Sequence, residues 1–331
     1  MIAGPRHACE VCGAPLDPSD RFCEECGSRA GAQERQTNAG GDACHACGAP
    51  AGAIRDDGLC VFCGTPARDP ADRLEVDLVT AAAITDRGRV RARNEDAVHL
   101  ERVGVAEVVA VVCDGVSSSL SADVAARTAA SAAGAVLAER LIGRSEDAEI
   151  ATAEAVLAAR QAVEAVDRTA GASQPVPSCT LVSAVTGPGG LVVGWVGDSR
   201  AYWIASGDSR RLTHDDSWAN EQVEEGLMSP AEAAADSRAH AITRWIGADA
   251  PEDPPGIAVM RPTEPGRLLL CSDGLWNHLP EASAIEGVLD GLPAAASPVA
   301  AARALADVAL AAGGHDNITV VVIDVDPGGE R

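Results

Sequence analysis

The 331-residue chain contains no lysine; all 26 of its basic residues are arginines. That absence excludes Walker-A loops and kinase-type ATP sites, both of which set a lysine on the phosphates. Aromatic side chains make up only 2% of the residues, so the core must be packed mainly with aliphatics. No stretch approaches the roughly 20 unbroken apolar residues of a membrane span. The opening Met1-Ile2-Ala3-Gly4-Pro5-Arg6 also lacks the apolar segment of a secretory signal. A cytoplasmic protein without a membrane partner is expected. Positive charge is scarce too: 49 acidic residues give a formal net charge of -23. Phosphate backbones are held by concentrated cations that release counterions, so nucleic acid is not an expected partner.

What the chain does have, crowded near its start, is cysteine. Eight of eleven cysteines form four C-x-x-C knuckles: Cys9 and Cys12, Cys23 and Cys26, Cys44 and Cys47, Cys60 and Cys63. Each knuckle is followed by glycine, and the first recurs at a 35-residue offset, the mark of a duplicated unit. Two four-cysteine zinc sites are the reading, since tetrahedral zinc folds modules too small to build a core. Structural disulfides do not suit a chain without an export signal, and redox dithiols need a βαβ context absent here. His7 and His45 lie near the knuckles, but cysteines already complete both tetrads. Residues 1–66 are thus read as a double zinc ribbon, 67–75 as a linker and 76–327 as one large domain. Residues 27–43 and 64–75 lack periodicity and are read as linking segments.

In the large domain, strand-like runs cover 77–84, 96–102, 106–113, 179–186, 190–196, 200–205, 267–272 and 318–325. Alanine-rich helical patterns cover 120–142 and 146–170, and a last helix covers 297–312. Strands joined by Gly187-Pro188-Gly189-Gly190, or by Gly197-Asp198-Ser199, are too close in sequence for a parallel crossover and are expected to pair antiparallel. Packed antiparallel sheets covered by helices follow, with 214–262 as an irregular flap.

Four aspartates end or begin the apolar runs: Asp96 in RARNED, Asp114 in VVCDG, Asp273 in LLCSDGLW and Asp316 in GGHDNIT. Carboxylates gathered at a sheet edge repel one another unless divalent cations lie between them, so the pattern points to magnesium or manganese and to phosphate chemistry. Each Asp-Gly or Asp-Asn pair alone reads as a turn or cap; the set carries the argument. Cys113, Cys179 and Cys271 read as small buried hydrophobes.

The segments TDRGRVRARNEDA at 85–97, CDG at 113–115, SCTLV at 178–182, GDSRAY at 197–202, LTHDDS at 212–217, ITRWIG at 242–247, SDGLW at 272–276 and GGHDNIT at 313–319 occur in this order. Together they resemble the metal-dependent protein phosphatase family, type 2C, of bacterial kind, across 77–326. The Cys-rich module resembles the double zinc ribbons fused to many bacterial signalling proteins. The resemblance implies an α+β, four-layer α-β-β-α sandwich of two antiparallel sheets with a Mn or Mg pair at one edge. It implies that Asp114 bridges both ions, with Asp273 and Asp316 on one and the Gly115 carbonyl on the other, while Glu95 and Asp96 act through waters. It implies a metal-bound hydroxide attacking phosphorus directly, with Arg91, four residues before Glu95, on the phosphoryl oxygens. Asp198 matches a ligand of a third ion, although Asn277 stands where the family usually supplies that ion's second acid. Val116-Ser117-Ser118-Ser119 replaces the family's histidine-bearing run, leaving the general acid unassigned, and Asp215-Asp216-Ser217 replaces Asp-His-Ser.

The expected function is a phosphoprotein phosphatase acting on substrates of a Ser/Thr kinase, its zinc ribbons docking a partner protein or restraining the enzyme. Two rivals stand beside it: a catalytically weak phosphoprotein-binding regulator, and a ribbon-driven nucleic-acid or scaffold protein with a vestigial tail. The ribbon segment has too few clustered basic and aromatic side chains for a nucleic-acid groove.

Overall fold

A computed structural model describes residues 72–327 apart from 105–106, 120, 142–147 and 168–175. Before them it describes 49–53, 55 and 59–64 and the backbone of three short strands, His7–Ala8, Pro15–Leu16 and Arg35–Asn38. Two antiparallel sheets organise the large domain. The five-stranded sheet runs Gly256–Met260, Gly190–Val196, Leu181–Gly187, Glu107–Asp114 and Asp96–Val103. The seven-stranded sheet runs Arg210–Arg211, Arg200–Ile204, Gly266–Cys271, Ile318–Val325, Ala81–Asp86, Arg73–Asp77 and Arg35–Asn38.

Strand periodicity sorts the side chains into layers. Along Glu107–Asp114, Val108, Ala110 and Val112 turn to the core shared with Leu268, Leu270, Val321 and Ile323 of the other sheet. Val109, Val111 and Cys113 turn the opposite way, against the helices Ala122–Leu141 and Ala148–Asp167. Ala125, Ala126, Ala129, Ala130 and Ala133 bury one face of the first of these at three- and four-residue spacing. Their small side chains bring helix and sheet close, which suits a core poor in aromatics. On the outer face of the seven-stranded sheet, Leu269, Cys271, Val320 and Val322 meet Leu305 and Ala306 of the helix Pro298–Ala311. That helix starts on Ser297, whose hydroxyl accepts from the Ala300 amide, with Pro298 in its first turn. Three cores between four layers result. Cys113, Cys179 and Cys271 are all fully buried.

Four expectations need correcting. The run 77–84 is two strands, because Asp77 Oδ1 accepts from the Val79 amide at 2.9 Å and turns the chain back through Val79 at φ 71°. Strands Gly190–Val196 and Arg200–Ile204 do not pair: residues 197–199 carry the chain from one sheet to the other, so each strand finds its partners in a different layer. The segment 214–262 is no irregular flap throughout. It holds the helices Trp218–Glu224 and Pro230–Ala235, and its strand Gly256–Met260 forms an edge of the five-stranded sheet. Within 27–43, Arg35–Asn38 pairs antiparallel with Arg73–Asp77, whose own first residues fall in the stretch 67–75.

Cys9, Cys12, Cys23, Cys26, Cys44 and Cys47 lie outside the described residues. Cys60 is buried and Cys63 exposed, and between them the chain turns so that the Gly64 amide donates to the Cys60 carbonyl at 2.8 Å, with Gly64 at φ +73°. His7–Ala8 and Pro15–Leu16 pair antiparallel on either side of the first knuckle. Among the described residues no helix is long and apolar enough to cross a membrane.

Leu137 is fully buried between the first long helix and the five-stranded sheet. Leu137→Ala is expected to cost about 2–5 kcal/mol. Urea unfolding would show it as a lowered midpoint at unchanged slope.

Candidate functional site

The acidic residues come together at one end of the two sheets. Asp96 opens its strand and Asp114 closes the neighbouring one, and the antiparallel register sets them directly opposite each other. In the other sheet Cys271 pairs with Val320, so Asp273, just after one strand, and Asp316, just before the other, lie at the same end. Asp198 sits on the crossover between the sheets. Asp96 and Asp198 are buried, while Asp114, Asp273 and Asp316 are half-buried.

Each carboxyl feels its neighbours. Burial pushes Asp114 well above the usual carboxylate range, and repulsion from Asp96, Asp273, Asp198 and Asp316 adds to it. Burial likewise raises Asp198 to about 7, with further push from Asp273 and Asp215. Asp273 is raised to about 6 by burial and by Asp316, even though the Asp114 carboxyl lies within hydrogen-bonding reach and Arg91 is near. Asp96 is raised to about 7 by burial. Its Oδ2 accepts from Ser272 Oγ and Thr319 Oγ1, both at 2.7 Å, whereas its buried Oδ1 has no protein partner. Among the described residues no three His, Cys, Asp or Glu side chains close into a finished ion cage; the oxygens are gathered without being converged.

Asn317 fastens the two sides of the site together. Its Oδ1 accepts from the Glu95 amide at 2.8 Å, and its Nδ2 donates to the carbonyls of Arg87 at 2.8 Å and Arg93 at 3.0 Å. The loop 87–95 is thereby laid against the loop of Asp316. Gly88, at φ +76°, makes this approach feasible, since a Cβ there would sit 2.2 Å from the Asp316 carbonyl oxygen. Gly115 donates its amide to the Glu95 carbonyl at 3.2 Å and bridges to Cys179, extending the ladder past Asp114. Arg91 Nη2 reaches Asp316 Oδ2 at 2.6 Å, and its side chain remains 36% exposed. All eight residues expected at the phosphate site, Arg91, Glu95, Asp96, Asp114, Gly115, Asp198, Asp273 and Asp316, therefore lie on loops and strand ends at this edge.

The Asp215-Asp216-Ser217 departure has a structural account. Asp215 forks onto the Arg200 guanidinium, with Nη2 to Oδ2 at 2.6 Å and Nε to Oδ1 at 3.0 Å, and that guanidinium stacks 3.8 Å from the Trp276 ring centre. Asp216 Oδ2 accepts from the Gly197 amide at 2.8 Å while its Oδ1 takes Arg244 Nη1 at 3.1 Å, clasping the Asp198 turn to the flap. Ser217 caps the helix Trp218–Glu224. Asn277 turns its Nδ2 to Asp273 Oδ2 at 3.3 Å. Asn317, Thr319, Ser272 and Asp216 escaped sequence reasoning as positioning residues; only their places inside or beside the motifs signalled them.

The raised carboxyls set a pH dependence for the chelated protein. Asp96 and Asp198 at about 7 and Asp273 at about 6 lie above the unfolded value of about 4. Groups raised by folding give their full stability below the unfolded value and lose it as the pH climbs through the folded one. Thermal unfolding in chelator should therefore show stability falling from about pH 4 to about pH 8; a rise over that window contradicts the geometry.

Comparison with known proteins places this arrangement. The family model for protein phosphatase 2C matches residues 86–309. The serine/threonine protein phosphatase PstP of Mycobacterium tuberculosis is 30% identical over 252 residues, 74% of this chain and 44% of PstP. The chain thus spans less than half the length of that relative. The serine/threonine phosphatase stp of Listeria monocytogenes is 29% identical over 251 residues, 73% of this chain and 94% of its own length. The crystal structure of the PstP catalytic domain in complex with two manganese ions superposes with a TM-score of 0.59 at 29% identity, covering 74% of this chain and 97% of that one. With the family's motifs in order and its two-sheet fold around them, this chain belongs to the protein phosphatase 2C family.

Proposed function

We propose that the chain is a metal-dependent serine/threonine phosphoprotein phosphatase. The observation that carries this is the meeting of Asp96, Asp114, Asp198, Asp273 and Asp316 from both sheets at one edge, with Asp96 Oδ1 buried and unpartnered. Hard oxygen donors that repel one another and include an unsatisfied one fit manganese or magnesium. Asp114 would bridge two ions, with Asp273 and Asp316 on one, the Gly115 carbonyl on the other, and Glu95 and Asp96 holding their waters. Asp198 would serve a third ion, weakened because Asn277 offers an amide where a carboxylate is usual. When bound, the pair of ions supplies charge neutralisation and activates water for direct attack on phosphorus.

The chain's own residues do the rest. Arg91 is anchored through one Nη to Asp316 and keeps exposed guanidinium surface for two charge-assisted hydrogen bonds to phosphoryl oxygens. Asn317 fixes the distance between the Arg91 loop and Asp316, and Thr180 does the same for the strand end: its Oγ1 accepts from the Asp114 amide at 3.2 Å and meets Ser199 Oγ at 2.7 Å, beside Asp198. The names of the relatives, serine/threonine phosphatases, support phosphorylated proteins as substrates, and a Ser/Thr kinase is proposed as the opposing enzyme. A catalytically weak regulator is disfavoured because Arg91 and all four motif aspartates are present and gathered.

Two zinc ions in residues 1–66 complete the reading, one on Cys9, Cys12, Cys23 and Cys26, the other on Cys44, Cys47, Cys60 and Cys63. The paired strands around the first knuckle and the left-handed Gly64 after the last one support it. The ribbons would dock a protein partner, and thiolate ligands suit a cytoplasmic setting.

Hydrolysis of an aryl phosphate in manganese tests the assignment. The parent should be active and silenced by chelator, and Asp114→Ala should lose more than about 100-fold in kcat/KM. Activity indifferent to chelator, or an inactive parent with manganese bound, refutes it. Elemental analysis should find two zinc ions per chain, falling to one in Cys60→Ser/Cys63→Ser; a zinc-free parent disproves the ribbons.

A further inference from the structure

The loop beside the site holds the densest positive charge in an acidic chain: Arg87, Arg89, Arg91 and Arg93 within seven residues, against a formal net charge of -23. Two of the four are committed locally. Arg87 Nε lies 3.3 Å from Asp72 and its Nη1 donates to the Arg91 carbonyl at 3.2 Å, while Arg91 holds Asp316. The other two are exposed and under-neutralised. Arg89 has no carboxylate partner among the described residues. Arg93 is 65% exposed and stands 3.6 Å from Asp123, a carboxylate that Arg127 already takes at 2.7 Å.

These arginines are also held in place. The Arg89 amide donates to the Gly314 carbonyl at 2.8 Å, and the Arg93 carbonyl accepts from Asn317 Nδ2 at 3.0 Å. Both backbones are therefore pinned to the loop of Asp316, on either side of Arg91. The helix Trp218–Glu224, which follows the Asp216 clasp, and its end carry Glu221, Glu224 and Glu225, all exposed. The exposed arginines of this loop thus offer an incoming chain positive charge that the acidic chain as a whole lacks.

We infer that Arg89 and Arg93 are specificity-determining residues that select phosphopeptides with acidic side chains next to the phosphorylated residue. This deepens the phosphatase reading and rests on it. Rim charges act mostly by steering and weak pairing, so the effect belongs in KM and fades with salt.

Three peptides with one phosphothreonine, flanked by Asp and Glu, by Ala or by Arg, would be compared in manganese with an aryl phosphate as control. The parent should favour the acidic peptide over the neutral one by about tenfold in kcat/KM, through KM, and less in high salt. Arg89→Ser/Arg93→Ser should bring that ratio below about twofold with aryl phosphate turnover unchanged, whereas Arg89→Lys/Arg93→Lys should keep it. A parent without the acidic preference, or a serine variant that retains it, overturns the inference and leaves the phosphatase reading standing. A parent inactive on the aryl phosphate removes that reading, and the inference with it.

Discussion

Repulsion among carboxylates at the open end of two packed sheets is the constraint around which this domain is organised. Asp96 and Asp114 face each other across one ladder, an arrangement that costs stability in an ordinary sheet. Asp273 and Asp316 bring the same charge from the other sheet, and Asp198 from the crossover. Folding does not relieve this: burial first, and repulsion between them after it, push the carboxyls of Asp96, Asp114, Asp198 and Asp273 upward. Under the metal-dependent reading proposed above, divalent cations between these carboxylates would offset that cost.

The scaffold resists that strain with neutral hydrogen bonds. Ser272 and Thr319 hold one oxygen of Asp96 and leave the other open; Thr180 ties the end of the Asp114 strand to Ser199; Asn317 binds three backbone groups of the Arg91 loop. None of these groups adds charge. Asp216 is the exception, a carboxylate used as a clasp, and Arg244 neutralises it. Its neighbour Asp215 is matched in turn by Arg200 and, at 3.4 Å, by Arg211. Close to the site, Asp215 and Asp216 are thus paired and structural, while of the clustered aspartates Asp316 is the one that an arginine holds, Arg91.

Most strand positions and the gathering of the aspartates were legible in the sequence because both rest on local pattern: continuous apolar runs for Glu107–Asp114 and Ile318–Val325, with Asp114 closing the one and Asp316 just before the other. Layer assignment was not. The brevity of 197–199 argued for a hairpin, yet the chain changes sheets there, since hydrogen-bond partners are chosen by the whole fold and not by turn length. Gly256–Met260 was missed because a short edge strand with Ile257 and Val259 exposed has little periodic signal after a proline-rich stretch. Asn317 was visible as a motif letter, but its reach to Arg87 and Arg93, 230 and 224 residues earlier in the chain, is a tertiary fact.

The pairing of Arg35–Asn38 with Arg73–Asp77 links the cysteine-rich half to the same physics. The segment between the two knuckle tetrads adds an outer strand to the sheet that delivers Asp273 and Asp316. Arg73 is a junction in that sheet, pairing with Glu75 and with fully buried Asp86, both at 2.8 Å. Asp86 Oδ1 in turn accepts from the Gly88 amide at 2.8 Å, at the root of the Arg91 loop. A four-residue edge ladder contributes little by itself, so it is among the cheapest parts of the sheet to release. Its inner neighbour, held by a buried ion pair one hydrogen bond from the arginine loop, is not. The seven-stranded sheet therefore grades from a short outer strand, Arg35–Asn38, to strands whose ends are stapled beside the carboxylates, and Arg91 with its loop lies on the stapled side of that gradient.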